Sequence, residues 1–158
     1  MLGISTDGIY STGRPVQIVS TGLPVLVVPI TSLKVLEKIS VDTLRLSRLL
    51  TSLGTDLLYA FTSQTFDPDA TIHSRAFAPK LGIPEDPATG SAAGAAGAYL
   101  SMNKFIPKES CENIFIEQGH MMGRPSSLFV CVEQNNDEIK SVRVGGESVT
   151  IMKGEIST

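Results

Sequence analysis

Two acidic residues, Glu85 and Asp86, stand directly before a stretch of small residues that carries no charge. From position 87 through 103 the chain has no Asp, Glu, Lys or Arg, and alanine, glycine and serine dominate. A carboxyl group beside a bound anion can act as a general acid or base. This junction is therefore the first place in the sequence where chemistry is expected.

The small residues predict a helix over 89–102 whose N-terminus lies close to Asp86. Thr89 or Gly90 can serve as its N-cap, and five alanines favour the helix. The first N–H groups of a helix lack partners inside it and carry partial positive charge. An anion such as a substrate carboxylate can approach them closely here, and Ser91 adds a hydroxyl. Thr89, Gly90 and Ser91 are candidate substrate-binding residues, and Asp86 is the candidate proton-transfer residue.

A purely structural interpretation fits the same residues. Asp86 can cap the helix while Glu85 is solvated. The helix is uncharged on every face, which is typical of a helix that is buried on all sides. Gly90, Gly94 and Gly97 share one face, where a neighbouring element can approach closely. A curved sheet that encloses the helix and a flat sheet that packs on one side both satisfy this pattern.

The remainder of the chain predicts the elements that position this helix. Apolar, β-branched runs predict strands, and a leucine stripe capped by Asp42 and ended by Gly54 predicts a second helix. The strand at 71–79 is expected to be half-buried. The order of elements predicts a mixed α+β domain with a largely antiparallel sheet. The predicted strands cover 15–22, 24–31, 55–64, 71–79, 113–119, 127–134, 138–146 and 148–154; the predicted helices cover 32–40, 41–54 and 89–102; a hairpin loop is predicted at 135–137.

Composition excludes several classes of protein. A chain of 158 residues that is 42% hydrophobic and 18% charged can build one domain with a sizeable core. Its net charge of −3, with no basic stripe, argues against nucleic acid as a partner. No secretory signal is visible, and the uncharged run is too short and too polar to span a membrane, so we expect a cytoplasmic protein. His73 and His120 share no ligand spacing, so we expect no metal, and we expect His120 in an exposed loop.

One segment carries a specific resemblance to a known family. Residues 77–100, FAPKLGIPEDPATGSAAGAAGAYL, resemble the signature of the phenazine-biosynthesis-like (PhzF-like) isomerases, which are relatives of diaminopimelate epimerase. The matches continue in STGLPVLVVPI (20–30), QGHMMGRPS (118–126) and VRVGGESVTIMKG (142–154). The resemblance implies an α+β lobe in which a curved, barrel-like antiparallel sheet wraps around a central helix.

Every match belongs to the second, C-terminal lobe of the two-lobe family. We therefore expect residues 1–158 to form a single lobe, with 148–154 as an exchanged or partner-paired edge strand. The resemblance implies cofactor-independent proton transfer at a carbon of a small carboxylate substrate, an isomerisation or epimerisation in the cleft between lobes. No cofactor is expected.

Site roles follow by resemblance from the matching positions. Asp86 matches the active-site aspartate of the second lobe, and Gly90 and Ser91 match positions that hold substrate. Arg75, ahead of the signature, can bind a substrate carboxylate, although strand arginines more often form surface ion pairs. The epimerase relatives have a cysteine where Asp86 stands, so a thiol-based mechanism is not expected.

The family's main catalytic base, a glutamate, belongs to the first lobe, as does an assisting histidine. Neither has a counterpart in this chain. Two functions follow as expectations. The first is a half-enzyme whose cleft is completed by a homodimer or by a separate first-lobe chain. The second is a non-catalytic remnant that binds small carboxylates or has a structural role.

Overall fold

A computed structural model describes residues 1–135 and 138–156 of the chain, and in these residues one sheet is combined with four α-helices. The helices are α1 (Asp7–Tyr10), α2 (Leu33–Glu37), α3 (Thr43–Ser52) and α4 (Gly90–Met102). The strands are β1 (Gln17–Ser20), β2 (Pro24–Pro29), β3 (Leu57–Thr62), β4 (Ile72–Ala78), β5 (Ile83–Asp86), β6 (Ile114–Gln118), β7 (Ser126–Asn135) and β8 (Glu138–Gly146). Single turns of 3-10 helix lie at Pro79–Leu81, Lys108–Ser110 and His120–Met122.

Seven of the strands form one path in the order β1-β2-β3-β4-β6-β7-β8, and β5 pairs with β4 beside that path. The pairs β2/β3 and β4/β6 are parallel, and the other pairs are antiparallel. A parallel pair needs a crossover connection. The chain makes the first crossover through α2 and α3, and the second includes α4.

The two crossovers cover opposite faces of the sheet. We call the face against α4 the inner face and the face against α2 and α3 the outer face. Along β3, Tyr59 and Phe61 pack with the alanines of α4, whereas Leu58 and Ala60 pack with the leucines of α2 and α3. Every residue of β4 is buried, so the prediction of a half-buried strand at 71–79 is wrong. The strand is covered on both sides, as parallel-type strands usually are.

The sheet curls around α4, which confirms the expected fold class. A Cβ added to Gly94 would lie 3.2 Å from Cγ2 of Val144 in β8 and 3.3 Å from Oγ1 of Thr21, the residue that follows β1. Both ends of the sheet path therefore reach the same turn of the helix. A Cβ on Gly97 would lie only 2.6 Å from Cγ1 of Val130 in β7. Gly94 and Gly97 thus allow the strands to approach α4 closely. Residues 92–101 of the helix are buried.

Most predicted elements are present, usually with shorter bounds, although β7 is longer than predicted and β8 has the predicted bounds. Asp42 caps α3 by accepting a hydrogen bond of 3.0 Å from the Arg45 N–H, and Gly54 follows the helix with a φ of 68°. The short elements α1 and β5 were not predicted, because four residues give too little periodicity to detect.

The strand predicted at 148–154 is wrong for the chain by itself. Residues 147–156 form neither helix nor strand. The apolar side chains of Val149, Ile151 and Met152 are between 84% and 93% exposed. Pairing of this segment with a partner stays a prediction. In the predicted hairpin loop at 135–137, Asn136 and Asp137 lie outside the described residues, and the flanking strands β7 and β8 do pair in antiparallel fashion.

Candidate active site

The candidate site lies where β5 ends and α4 begins. Asp86 is the last residue of β5, and Thr89 is the N-cap of α4, as predicted. Alternate residues of a strand point to opposite faces of the sheet. Asp86 accordingly makes its contacts on the side of α4, whereas Glu85 makes its own on the side of α2. Asp86 is half-buried and Ser91 is exposed, so solvent reaches this end of the helix.

The N-terminus of α4 offers free hydrogen-bond donors. The first hydrogen bond of the helix joins the Ala93 N–H to the Thr89 carbonyl at 2.9 Å. The N–H groups of Gly90, Ser91 and Ala92 precede that bond and have no acceptor among the described residues. Such groups attract anions through their hydrogens and through the helix dipole. The arrangement is therefore suited to holding a carboxylate next to Asp86.

Asp86 is held by Thr89 and Gln118. The Thr89 hydroxyl donates a hydrogen bond of 2.6 Å to Oδ2 of Asp86, which explains why this hydroxyl makes no capping bond to the helix. Nε2 of Gln118 donates to the Asp86 carbonyl at 2.7 Å and to Oγ1 of Thr89 at 2.9 Å. The Thr89 N–H in turn donates to Oε1 of Gln118 at 3.3 Å. Oδ2 and the backbone carbonyl of Asp86 are thus held by one connected set of hydrogen bonds, while Oδ1 is left without a partner among the described residues.

The network continues into the core through Tyr59 and Ser74. The Tyr59 hydroxyl lies 3.2 Å from Oε1 of Gln118 and 2.8 Å from Oγ of Ser74, and Ser74 donates to the Glu117 carbonyl at 2.9 Å. Burial raises the pKa of Tyr59 well above its ordinary value, against the opposing effect of the Ser74 hydrogen bond, and the negative charge of Asp86 adds to the rise. Tyr59 therefore stays a neutral phenol behind the site.

The strand order explains how Gln118 meets Asp86. Both β5 and β6 pair with β4, on the edge opposite β3. Asp86 stands opposite Ala76, and Gln118 stands opposite Ser74, two residues along the same strand. Two residues on an edge span roughly 7 Å, which the long Gln118 side chain bridges.

Arg75 lies on the outer face and is bound there. Its guanidinium forms a two-pronged ion pair with Glu85, with both N–O distances at 2.8 Å, and it donates to the carbonyls of Leu36 and Ile39 in and after α2. Arg75 is 8% exposed, so the expectation of a surface ion pair is wrong, as is that of a solvated Glu85. The substrate-binding role of Arg75 stays a prediction, and its contacts anchor α2 to β4 and β5.

A tight turn supports the site from behind. Gly119 has a φ of 83°, in the left-handed region that favours glycine. A Cβ at this position would overlap the carbonyl oxygens of Arg124 and Pro87. The turn at 119–124 therefore packs its backbone directly against Pro87, the residue after Asp86, and leaves no room for a side chain.

A second cluster of titratable residues lies on the outer face of the same strands. Nδ1 of the fully buried His73 is 2.8 Å from Oε2 of Glu117, whose carboxylate also accepts from the N–H groups of Phe66 and Asp67 at 3.0 and 2.6 Å. Burial lowers the pKa of His73, despite the hydrogen bond to Glu117. Burial alone would raise the pKa of Glu117, but the hydrogen bonds from His73 and the two amides hold it below its usual value.

His120 belongs to this second cluster, so its expected place in an exposed loop is wrong. Its ring stacks on Phe66 at 4.9 Å between centroids and lies 4.9 Å from the ring of His73. Two histidines far apart in sequence thus become neighbours. Within residues 1–135 and 138–156, no group of three or more His, Cys, Asp or Glu side chains could hold a metal ion, and the expected absence of a metal stays a prediction.

Comparison with known proteins decides the family. The model of the phenazine biosynthesis-like protein family, PhzC-PhzF, matches residues 2–154. The chain belongs to this family. An uncharacterised isomerase of Clostridium acetobutylicum is 37% identical over 142 residues, which are 89% of this chain and 47% of that protein. The trans-2,3-dihydro-3-hydroxyanthranilate isomerase of Pseudomonas chlororaphis is 42% identical over 83 residues, 52% of this chain and 29% of that enzyme.

The solved structures of PhzF-family proteins share the fold. The Bacillus anthracis phenazine biosynthesis protein superposes with a TM-score of 0.75 at 21% identity, over 92% of this chain and 49% of that one. The chain spans about half the length of the full-length isomerases and structures that it matches across most of its own residues. The PhzF-like isomerase family and the fold are thus established for this chain.

The predicted site residues divide into two groups. The structure brings Asp86, Thr89, Gly90 and Ser91 together at one end of α4, and it places Arg75 on the opposite face of the sheet. Gln118 was not among the predicted site residues, yet it contacts both Asp86 and Thr89. Its place at the end of a strand directly before a glycine was the available signal, but only the pairing of β6 with β4 reveals the contact.

No helix in the described part of the chain combines the length and the apolar character needed to cross a membrane.

Proposed function

We propose that this lobe transfers a proton at a carbon atom of a small carboxylate substrate, and that it does so once a second lobe completes the cleft. The observation that carries the proposal is the position of Asp86. Oδ2 of its carboxylate is held by Thr89, and Oδ1 has no partner among the described residues. The free N–H groups at the start of α4 lie beside it. A proton-transfer group therefore stands next to a seat for an anion.

The reaction that fits this arrangement needs no cofactor. A carbon–hydrogen bond of the substrate breaks, the electron pair stays in the conjugated substrate, and a new carbon–hydrogen bond forms at the same or another carbon. Electrons are neither gained nor lost, so two acid–base groups suffice. Asp86 supplies one of them, and the N–H groups of Gly90 and Ser91 stabilise the substrate carboxylate. The absence of a cofactor stays a prediction.

The second acid–base group is proposed to come from outside the lobe. Glu85, the neighbour of Asp86 in β5, pairs with Arg75, and Glu117, in the adjoining strand β6, accepts from His73 and two backbone amides. Neither carboxylate is available to contact a substrate that binds on the inner face of the sheet. We propose that a second copy of the chain or a separate first-lobe chain supplies the facing group, and that residues 148–154 pair with that partner.

The exposed apolar side chains of that segment support such a partner. The side chains of Val149, Ile151 and Met152 are almost fully exposed, and the exposure of apolar surface to water is unfavourable. A cytoplasmic location and a biosynthetic role stay predictions from the sequence.

The alternative is a module that binds small carboxylates without turnover. The extent of the match supports this alternative as well, because the chain spans about half the length of the relatives that it matches. In that case the N-terminus of α4 still binds an anion, but no hydrogen exchanges at carbon.

Deuterium uptake at a substrate carbon distinguishes the two functions. The chain is incubated in D₂O by itself at high concentration, and with the part of the Clostridium acetobutylicum isomerase that it does not match. The probes are trans-2,3-dihydro-3-hydroxyanthranilate and a panel of small amino and hydroxy carboxylates, followed by NMR and mass spectrometry. Carbon-bound deuterium supports the enzyme, whereas binding without exchange in any combination supports the module.

A further inference from the structure

We propose that Gln118 and Thr89 are positioning residues that determine which oxygen of Asp86 carries the transferred proton, and that this oxygen is Oδ1. The inference rests on the proposed function, because it assigns an orientation to the group that the proposal makes catalytic. It also gives Thr89 a part different from the predicted contact with substrate.

The orientation of the Gln118 amide is fixed by two backbone groups. The Asp86 carbonyl, 2.7 Å from one end of the amide, can only accept a hydrogen bond, so that end must be the NH₂ group. The Thr89 N–H, 3.3 Å from the other end, can only donate, so that end must be the oxygen. The reverse orientation would place two acceptors together and two donors together. The side chain is therefore held in one of its two orientations.

The fixed amide determines the direction of the Thr89 hydroxyl. The second hydrogen of the Gln118 NH₂ group points at Oγ1 of Thr89, 2.9 Å away, so this oxygen is an acceptor toward Gln118. Its single hydrogen must then be directed elsewhere, and Oδ2 of Asp86 lies 2.6 Å away. A chain of donors thus runs from Gln118 through Thr89 to Asp86. It ends on one named oxygen of the carboxylate.

The consequence concerns the protonated form of Asp86. Oδ2 already accepts the Thr89 hydrogen, and a proton added to Oδ2 would weaken it as an acceptor, whereas a proton on Oδ1 leaves this hydrogen bond intact. When Asp86 accepts a proton from carbon, the proton therefore goes to Oδ1, the oxygen without a partner in the described structure. Oδ1 is also the oxygen from which the proton is returned.

Burial makes this arrangement rigid. Gln118 is 0% exposed and Thr89 is 8% exposed, so water does not replace a lost partner easily. All the polar groups of the Gln118 side chain are used, because Oε1 also lies 3.2 Å from the Tyr59 hydroxyl. Gln118→Glu keeps the size of the side chain but removes the NH₂ donors. This change releases the Thr89 hydroxyl from its single direction.

NMR of the unmodified chain tests the orientation directly. In a mixture of H₂O and D₂O at low temperature, a slowly exchanging Thr89 hydroxyl produces an isotope splitting on the carboxyl carbon of Asp86. We expect this splitting in the wild type and in Thr89→Ser, which keeps the hydroxyl. We expect its loss in Thr89→Val and in Gln118→Glu, while Thr51→Val, the same change on the exposed face of α3, leaves it intact.

The wild-type spectrum alone can overturn the inference, so folding of the variants is not essential. The absence of a splitting at the carboxyl carbon of Asp86 in the folded protein contradicts the proposed orientation. This result does not depend on turnover. A correct orientation without deuterium uptake would sink the proposed function and leave only the direction of the donor chain standing, whereas uptake with the wrong orientation would sink this inference alone.

Discussion

The Thr89 hydroxyl lies 2.6 Å from Oδ2 of Asp86, across the turn that joins β5 to α4. This contact spans three residues of sequence, yet it is held in place by Gln118, which comes from the far side of the crossover. One end of the helix therefore combines an oriented carboxylate with free N–H groups. The following predictions test the parts of this arrangement separately.

Carboxylate binding at α4 is expected to strengthen when the charge of Asp86 is removed. In Asp86→Asn the seat formed by the N–H groups of Gly90 and Ser91 remains, but a nearby negative charge no longer repels the ligand. We expect affinity for small carboxylates to rise about threefold to tenfold, with amide shifts confined to the start of α4. NMR titration with acetate and lactate measures this.

The control for that titration is Asp69→Asn, which removes the same charge at an exposed loop position. It should leave the affinity unchanged. If Asp86→Asn and Asp69→Asn behave alike, or if the amides of α4 do not respond to carboxylates, the proposed anion site at the start of α4 is wrong.

Loss of the Arg75 side chain is expected to reduce stability. Arg75→Met leaves the carboxylate of Glu85 and the carbonyls of Leu36 and Ile39 without their shared donor. Removing one partner of a largely buried ion pair costs about 3–5 kcal/mol, and we expect the lower end because Glu85 is partly exposed. Urea unfolding, followed by circular dichroism, gives the free energy.

Arg45→Met provides the matched control, since Arg45 forms an exposed pair with Asp42. Its cost should stay below about 1 kcal/mol. A stable Arg75→Met protein that has lost carboxylate binding would show instead that Arg75 serves the substrate, as first predicted from the sequence.

The close approach of β7 to α4 predicts that Gly97→Ala destabilises the protein. Alanine favours a helix over glycine by about 1 kcal/mol, but the new methyl group would sit 2.6 Å from Cγ1 of Val130. We expect overpacking of about 1–3 kcal/mol to prevail. In Gly90→Ala the added Cβ would have its nearest contact at an ordinary 3.8 Å, so this variant should lose less stability. Thermal melts of both variants measure the difference. Stabilisation by Gly97→Ala would mean that the sheet does not close tightly around the helix.

Acid is expected to destabilise the protein through His73 and Glu117. The folded pKa of His73 lies below its ordinary value of 6.5, so the unfolded chain takes up a proton first, and stability falls as the pH drops below about 6.5. The folded pKa of Glu117 is also depressed, so stability falls again as the pH drops below about 4.5. Both effects act in the same direction.

The pH dependence is measured from urea midpoints between about pH 8 and about pH 4. His73→Asn keeps a donor toward Glu117 but cannot take up the proton, so the decline that begins near pH 6.5 should flatten. An unchanged decline in this variant would assign the acid sensitivity to other groups.

Local sequence was sufficient to predict the helix α4 and the position of the residues next to it. The run from Thr89 to Met102 shows its helix through alanines, and its glycines correctly indicated a close neighbour. Periodicity alone left a curved and a flat sheet equally possible, and only the resemblance indicated the curved one. The proximity of Asp86 to Thr89 needed no tertiary information, because three residues separate them.

The long-range part of the site could not be derived from patterns. Gln118 reaches Asp86 only because β6 runs parallel to β4, and local periodicity does not encode the pairing of distant strands. The same limit explains why the surroundings of Arg75 and His120 were not predicted. Which face Arg75 occupies, and which ring His120 meets, depend on the crossovers that cover each side of the sheet.

The central claim is that Asp86 moves a proton to or from carbon. The most direct measurement compares carbon-bound deuterium after incubation in D₂O for the wild type and for Asp86→Asn, each with the complementary part of the Clostridium acetobutylicum isomerase. We predict uptake by the wild type and a loss of at least about 100-fold in Asp86→Asn, with an unchanged melting temperature. Equal uptake by both proteins would contradict the claim.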